Sequence, residues 1–267
     1  CDNFCSYCII PFVRGKCRSK EEDKVVEEIE SLVKNGYKEV VLTGIHTGSY
    51  GTDLDTSFAH LLNRLVEIKG LERLRISSIE ATELNEEVLD VLRKSNILVD
   101  HLHIPIQAGS NEILKQMNRK YDLDYFKDKI NEIRSIRKNI AISTDVIVGF
   151  PGETEELFQK TIDTCKEIGF SKLHVFPYSE RKGTASSRMQ KKLDGSVKKD
   201  RASKLIRLSD ILEEKYESKF IGKKMDIITE LNHQDEIVGF TSNYIKVKIT
   251  NPENLKVNCF WMLRKSF

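Results

Sequence analysis

Two hydrophobic rhythms alternate along this chain. Val25, Val26, Ile29, Leu32 and Val33 recur at helical spacing until Gly36 stops the run. Ser19 followed by Glu22 has the form of a capping box, so a helix is predicted over about residues 20 to 35. The run KEVVLTG that follows reads as a buried strand ending in glycine. The pair then repeats: helix FAHLLNRLVEI precedes strand RLRISS, and NEEVLDVLRKS precedes VDHLHIP. Helices near residues 110 to 118 and 124 to 138 lead to AISTDVIVG, and TEELFQKTIDTCKEIG leads to SKLHVFP. Strands separated by helices predict an α/β fold with a parallel sheet and right-handed crossovers.

The three cysteines of CDNFCSYCII stand just before the first helix, where the loop after a strand belongs. The strand feeding that loop would lie upstream of Cys1, so the chain is expected to be a fragment or processed product without it. At the other end, a long amphipathic helix from about Ser196 to Phe220 leads into the alternating segments KMDIITEL, EIVGFT and NYIKVKIT. These predict a small antiparallel β-barrel, with a domain boundary near residue 220 that divides 1–219 from 220–267. The ending VNCFWMLRKSF does not continue the alternation, and Phe260, Trp261 and Phe267 are expected to leave the barrel incomplete and sticky.

Composition narrows the class only a little. Hydrophobic residues make up 39% and charged residues 31%, an ordinary globular balance that argues against long disorder. No apolar run approaches the roughly 20 residues needed to span a bilayer. No signal peptide is visible, so a cytoplasmic protein with no membrane partner is expected. A net charge of +2 does not make a nucleic-acid binder, but its distribution is uneven. Ten Lys or Arg residues lie between Arg181 and Arg207 against only Asp194 and Asp200. Arg14, Lys16, Arg18 and Lys20 follow the cysteines. A solvated helix face explains much of the longer run; RNA phosphates are the alternative partner.

Half of the six cysteines crowd into the first eight positions, which suits metal in a reducing compartment better than a disulfide framework. Cys1, Cys5 and Cys8, spaced C-x3-C-x2-C, put three soft thiolates on one tight loop. That arrangement suits three corners of a 4Fe–4S cube, leaving the fourth iron open to chelate the amino and carboxylate groups of S-adenosylmethionine. A zinc site is the plainer alternative, but it usually needs a fourth protein ligand. Cys17 reads as a free loop thiol, Cys165 as a core residue within a helical period, and Cys259 has no assigned role.

With Tyr7 before the third cysteine, the triplet resembles the signature of the radical S-adenosylmethionine superfamily. The segments IIPFVRGKCRSK, LHIPIQAGSNEILKQMNRKY, DVIVGFPGETEE and FPYSERKGT resemble its methylthiotransferases, which insert a methylthio group into tRNA or a ribosomal protein. VVLTGIHTGSYG and RISSIEATEL look most like the branch acting on N6-threonylcarbamoyladenosine beside the anticodon. The resemblance implies a partial (βα)6 TIM-like barrel lacking its first strand, followed by a TRAM-like RNA-binding domain. It also implies a 4Fe–4S cluster on Cys1, Cys5 and Cys8, with S-adenosylmethionine bound near Tyr7, Gly44, His46, Gln107, Ser143, Asp145 and Gly149. The resemblance implies a second 4Fe–4S cluster only in the N-terminal domain of complete members, which this chain is expected to lack.

The implied partners are the tRNA anticodon stem-loop and an electron donor protein. His101 and His103 alternate with Leu102 and Ile104, so they share a strand face and are candidates for the barrel interior, against the alternative of satisfied core histidines. The rivals are a methylthiotransferase of another branch, acting on isopentenyladenosine or a ribosomal protein, and a noncatalytic RNA-binding module with a structural metal. Without its N-terminal domain the fragment is expected to bind the radical cluster but not to complete methylthiolation.

Overall fold

The computed structural model describes residues 1–233, 236–250 and 260–264. Its first part runs α1 (Ile10–Arg14), α2 (Glu22–Lys34), β1 (Glu39–Leu42), α3 (Phe58–Val66), β2 (Arg73–Ile76), α4 (Glu86–Lys94), β3 (His101–His103), α5 (Asn111–Gln116), α6 (Leu123–Ile136), β4 (Ala141–Val148), α7 (Glu155–Ile168) and β5 (Lys172–Pro177). The long helix α8 (Gly195–Ser218) leads to β6 (Lys224–His233), β7 (Glu236–Thr241), β8 (Lys246–Thr250) and β9 (Phe260–Arg264).

All five predicted strands are present and parallel. β1 pairs with β2, and β4 lies between β3 and β5. The two groups meet where Leu74 of β2 exchanges hydrogen bonds with Ile97 and Val99, just ahead of β3. The helices cover the outside. In α3, Phe58, Leu61, Leu62 and Leu65 recur at i, i+3, i+4 and i+7, and all four are buried.

Five helices begin on a capping side chain that accepts a backbone N–H from the first turn: Ser57, Asn85, Ser110, Asp122 and Thr154. The capping box predicted at Ser19 does not form. Glu21 is the N-cap of α2 and makes no side-chain cap bond. Ser19 instead accepts from Gly51 N through its hydroxyl at 2.9 Å and donates its own N–H to Asp53 at 2.8 Å. The residue is spent tying the basic loop to the segment after β1.

β6 to β9 form an antiparallel sheet in the order β8-β7-β6-β9. The predicted break at the C-terminal end is corrected: the backbone of Phe260–Arg264 pairs with Lys224–Ile228 and extends the sheet. The bare edge of β6 offers backbone groups that a β-prone stretch satisfies even without strict alternation. Cys259, Phe267 and the side chains of Phe260 and Trp261 lie outside the described residues.

This sheet sits at the N-terminal ends of the parallel strands. Arg73 opens β2 and donates to Phe240 O at 2.7 Å and Asp226 O at 2.8 Å. Asp100, just before β3, donates its N–H to Ser242 Oγ at 3.0 Å. Ala141 at the start of β4 packs with Tyr216, Phe220 and Ile245. The opposite end, where α/β folds place ligands, is left to the loops.

Candidate active site

Three of those connections hold the cysteine segment. Ser6 N donates to Met117 O at 2.9 Å, and Asn118 Nδ2 donates to Phe4 O at 2.8 Å. Ser186 N donates to Ser6 O at 2.8 Å, bringing in the connection after β5. The amide of Asn3 lies 3.1 Å from His46 Nε2 in the loop after β1. Cys8 N closes a turn on Cys5 O at 3.0 Å, and Phe4 takes a left-handed φ of 48°. The outcome is one short loop presenting Cys1, Cys5 and Cys8 as free, half-buried thiols.

Arg119 approaches this loop from below. Its Nη1 donates to Cys5 Sγ at 3.4 Å. Nη2 pairs with Glu80 and donates to Tyr121 Oη at 2.9 Å and Pro105 O at 3.3 Å. The side chain is 3% exposed, so the guanidinium is a fixed positive charge beside the thiols. Burial raises the Tyr7 phenol far above its usual range, leaving it neutral; the Arg119 charge acts the other way and is outweighed.

The loop after β1 carries a second polar knot. His46 Nε2 lies 2.6 Å from Glu83 Oε1, His46 Nδ1 lies 2.8 Å from Ser49 Oγ, and Ser49 donates to Glu83 at 2.9 Å. Burial alone would lower the His46 pKa, but the bond and charge of Glu83 outweigh it and raise it. Burial likewise raises Glu83, and its bond to His46 more than reverses that. The pair favours an imidazolium, with the Ser49 hydroxyl accepting from Nδ1 and donating its own O–H to the Glu83 carboxylate. Gly44 stands exposed just past the end of β1.

Inside the barrel, neighbouring strands present polar side chains toward one another. His101 Nε2 and His103 Nδ1 both lie within hydrogen-bond reach of Ser143 Oγ, at 3.0 and 2.9 Å. His103 Nε2 is 3.2 Å from Asp145, and its ring centroid is 5.4 Å from that of His174. A cavity of about 510 Å³ is lined by these histidines with Arg75 and Lys172 and roofed by Tyr244. Burial, assisted by the Arg75 charge, drives His101 down to about 3, so its ring is neutral. Burial and His103 lower His174 too.

Ser143 and Asp145 therefore face the β3 histidines, with the Ser143 hydroxyl within hydrogen-bond reach of both rings. Gln107 bridges to β4 through its backbone, donating to Asp145 O at 2.9 Å and accepting from Ile147 N at 2.8 Å, with φ at 66°. A non-glycine residue held there costs of order 1–3 kcal/mol and persists only where its surroundings impose it. Gly149 has φ 74°, and its N–H is committed to Glu153 at 2.7 Å. A Cβ on it would stand 2.2 Å from Lys198 Cγ, so that position is packed by α8.

A second cavity, about 1070 Å³, lies between α2 and β1 and is lined by Cys1, Cys17, Gly44 and His46 among others. Cys17 Sγ faces Ser49 O at 3.9 Å and does not join the thiol loop. Cys165 is fully buried in the core as predicted, its thiol pushed up to about 12 by burial. Four of the ten cations between 181 and 207 are used internally. Arg201 and Lys204 are in ion pairs with Glu155, Lys192 is paired with Glu180, and Lys198 donates to Tyr178 O. Arg181, Lys182, Arg188, Lys191, Lys199 and Arg207 are exposed.

Among the described residues, no three His, Cys, Asp or Glu side chains are gathered closely enough to hold a single metal ion. The donor set of the cysteine loop has a different character: three free thiols on one short loop, that of Cys5 beside a buried cation, the soft sulfur ligands that iron–sulfur clusters take. The residues fit such a group.

Residues 1–165 match the family profile of the radical SAM superfamily. The chain belongs to that superfamily. Membership implies a 4Fe–4S cluster and S-adenosylmethionine. The chain is 47% identical over 262 residues to the threonylcarbamoyladenosine tRNA methylthiotransferase MtaB of Bacillus subtilis strain 168, covering 96% of this chain and 58% of that protein. It is 38% identical over 264 residues to a tRNA-2-methylthio-N(6)-dimethylallyladenosine synthase of Clostridium perfringens strain SM101, with the same coverages.

The chain thus spans somewhat over half the length of these curated relatives. Among solved structures it resembles the coproporphyrinogen III oxidase HemN of Escherichia coli, at TM-score 0.56 and 19% identity over 79% of this chain and 50% of that one. It also resembles Streptococcus suis SuiB bound to S-adenosylmethionine, at TM-score 0.53 and 17% identity over 82% of this chain and 46% of that one. At these identities the likeness shows the radical SAM barrel fold alone. No helix among the described residues is long and apolar enough to cross a membrane.

Sequence reasoning assigned no role to Asn3, Glu80, Glu83 or Arg119. Arg119 sits inside the run LHIPIQAGSNEILKQMNRKY, where one of two adjacent cations stands out only once its burial against Cys5 is seen.

Proposed function

We propose that this chain is the catalytic core of a tRNA methylthiotransferase that adds a 2-methylthio group to N6-threonylcarbamoyladenosine beside the anticodon. The observation that carries this is the loop of Cys1, Cys5 and Cys8 at the ligand-binding end of a parallel barrel, in a chain 47% identical to a threonylcarbamoyladenosine enzyme. Superfamily membership supports an enzyme over a noncatalytic RNA-binding module.

In this reading residues 1–219 form the radical SAM core, and the sheet within 220–267 is a TRAM-like RNA-binding domain. Cys1, Cys5 and Cys8 would hold the 4Fe–4S cluster, three protein ligands that would leave one iron for S-adenosylmethionine. A cluster held there would supply one electron for reductive cleavage of S-adenosylmethionine, the radical chemistry that hydrogen removal from an adenine ring needs. The protein's part is to hold and shield the reactants. Gly44 allows close backbone approach, His46 is oriented by Glu83, and Gln107 fixes the loop after β3. Ser143 and Asp145, neighbours of His103 and His174, give the lumen polar groups for a nucleoside, and Gly149 lets α8 pack close behind β4. The exposed Arg181, Lys182, Arg188, Lys191, Lys199 and Arg207 would take tRNA phosphates, so binding weakens steeply with salt.

The 38% identity to the dimethylallyladenosine synthase supplies the second reading, in which the substrate is isopentenyladenosine, and one experiment separates the two. In a strain whose gene for this protein is deleted, nucleoside mass spectrometry of total tRNA should show methylthiolated threonylcarbamoyladenosine gone and its unthiolated precursor retained. Loss of methylthiolated isopentenyladenosine instead, or loss of neither, contradicts the assignment.

A further inference from the structure

Arg119 is more than a packed cation. Its forked head is fixed on one edge by Glu80 and the Pro105 carbonyl and braced through Nε by Tyr121 at 3.2 Å. That leaves Nη1 pointing at Cys5 Sγ, 3.4 Å away, across 114 residues of sequence. The guanidinium cannot lose its proton under ordinary conditions, so both the charge and the N–H are permanent. A donor held at a ligand sulfur stabilises whichever oxidation state places more negative charge there. Hydrogen bonds to cluster sulfurs are among the protein's levers on potential.

We propose that Arg119 is a positioning residue that sets the reduction potential of the iron–sulfur group by donating to Cys5 Sγ. The inference rests on the reading above, in which Cys1, Cys5 and Cys8 hold that group. In the step concerned, one electron enters from an external one-electron donor, no covalent bond breaks and no proton is transferred. Arg119 stabilises the negative charge that reduction adds at Cys5. Glu80 sits on the far Nη and partly neutralises the cation, so it acts in the opposite direction.

The test is anaerobic reconstitution of the wild-type chain, R119M and E80Q with iron and sulfide, then a dithionite titration followed by electron paramagnetic resonance and an iron assay. With iron content equal to wild type, R119M should be about tenfold harder to reduce, a potential lower by ~59 mV for a one-electron couple. E80Q should shift upward. A fully loaded R119M at the wild-type potential overturns the inference while leaving the cluster assignment intact. If R119M does not load, E80Q decides: an upward shift supports the inference, and a potential unchanged or lowered overturns it. A wild-type chain that takes up no iron overturns the cluster assignment itself, and the inference with it.

Discussion

Cys5→Ala should leave a folded chain whose iron content after anaerobic reconstitution drops to background. Cys5 is half-buried on a loop anchored through the backbone of Ser6, Phe4 and Cys8, and its thiol accepts one bond, from Arg119 Nη1. The stability change should stay within about 1 kcal/mol, the scale of a substitution outside the core. The functional change should be large, because a cube gripped at two corners is not retained. Formation of 5′-deoxyadenosine from S-adenosylmethionine should fall by more than about 100-fold, beyond what losing an outer partner of a metal site usually costs. Iron content and product yield at wild-type levels in Cys5→Ala would remove the cysteine from the site.

Arg201→Ala should have the largest effect on stability, about 3–5 kcal/mol, because it strands a buried carboxylate. Arg201 Nη1 donates to Glu153 Oε2 at 2.7 Å and to Glu153 O at 2.8 Å, and the two side chains are 5% and 0% exposed. Glu153 also accepts from Gly149 N, so the pair clamps α8 onto the loop after β4.

Burial raises the Glu153 pKa even with Arg201 present, and removing the cation raises it further. A carboxyl whose folded pKa exceeds its unfolded value binds more protons when native, so its contribution to stability falls as pH rises through the carboxylate range. The Arg201→Ala deficit should therefore be smaller at pH 5 than at pH 8. Urea midpoints at the two pH values check this, and equal deficits would contradict the buried-charge explanation. The double variant Arg201→Met with Glu153→Met should recover much of the loss, since an apolar pair leaves no unpaired charge.

The parallel strands were legible because each buried run is short, β-branched and bounded by glycine or a capping residue, as KEVVLTG and AISTDVIVG show. The cysteine loop was legible because its spacing is local, and the histidine pair because strand alternation alone puts His101 and His103 on one face. What failed depended on distant partners. Ser19 looks like a cap until Gly51 and Asp53 claim it. Phe260–Arg264 looks like a broken pattern until the edge of β6 is there to pair with it.

The basic run reads as one electropositive stretch, yet Arg201 points inward to a carboxylate 48 residues away and Lys192 is held by Glu180. Arg119 is the extreme case. Nothing near it in sequence names Cys5, and only the folded loop between α5 and α6 brings them together.

In the proposed function Cys1, Cys5 and Cys8 would hold an iron–sulfur cube with one iron left for S-adenosylmethionine. The most direct measurement is the electron paramagnetic resonance spectrum of the reduced, anaerobically reconstituted chain before and after S-adenosylmethionine is added. The expected result is a 4Fe–4S signal that changes on addition, followed by release of 5′-deoxyadenosine. A spectrum indifferent to S-adenosylmethionine, or a chain that binds zinc and no iron, would contradict it.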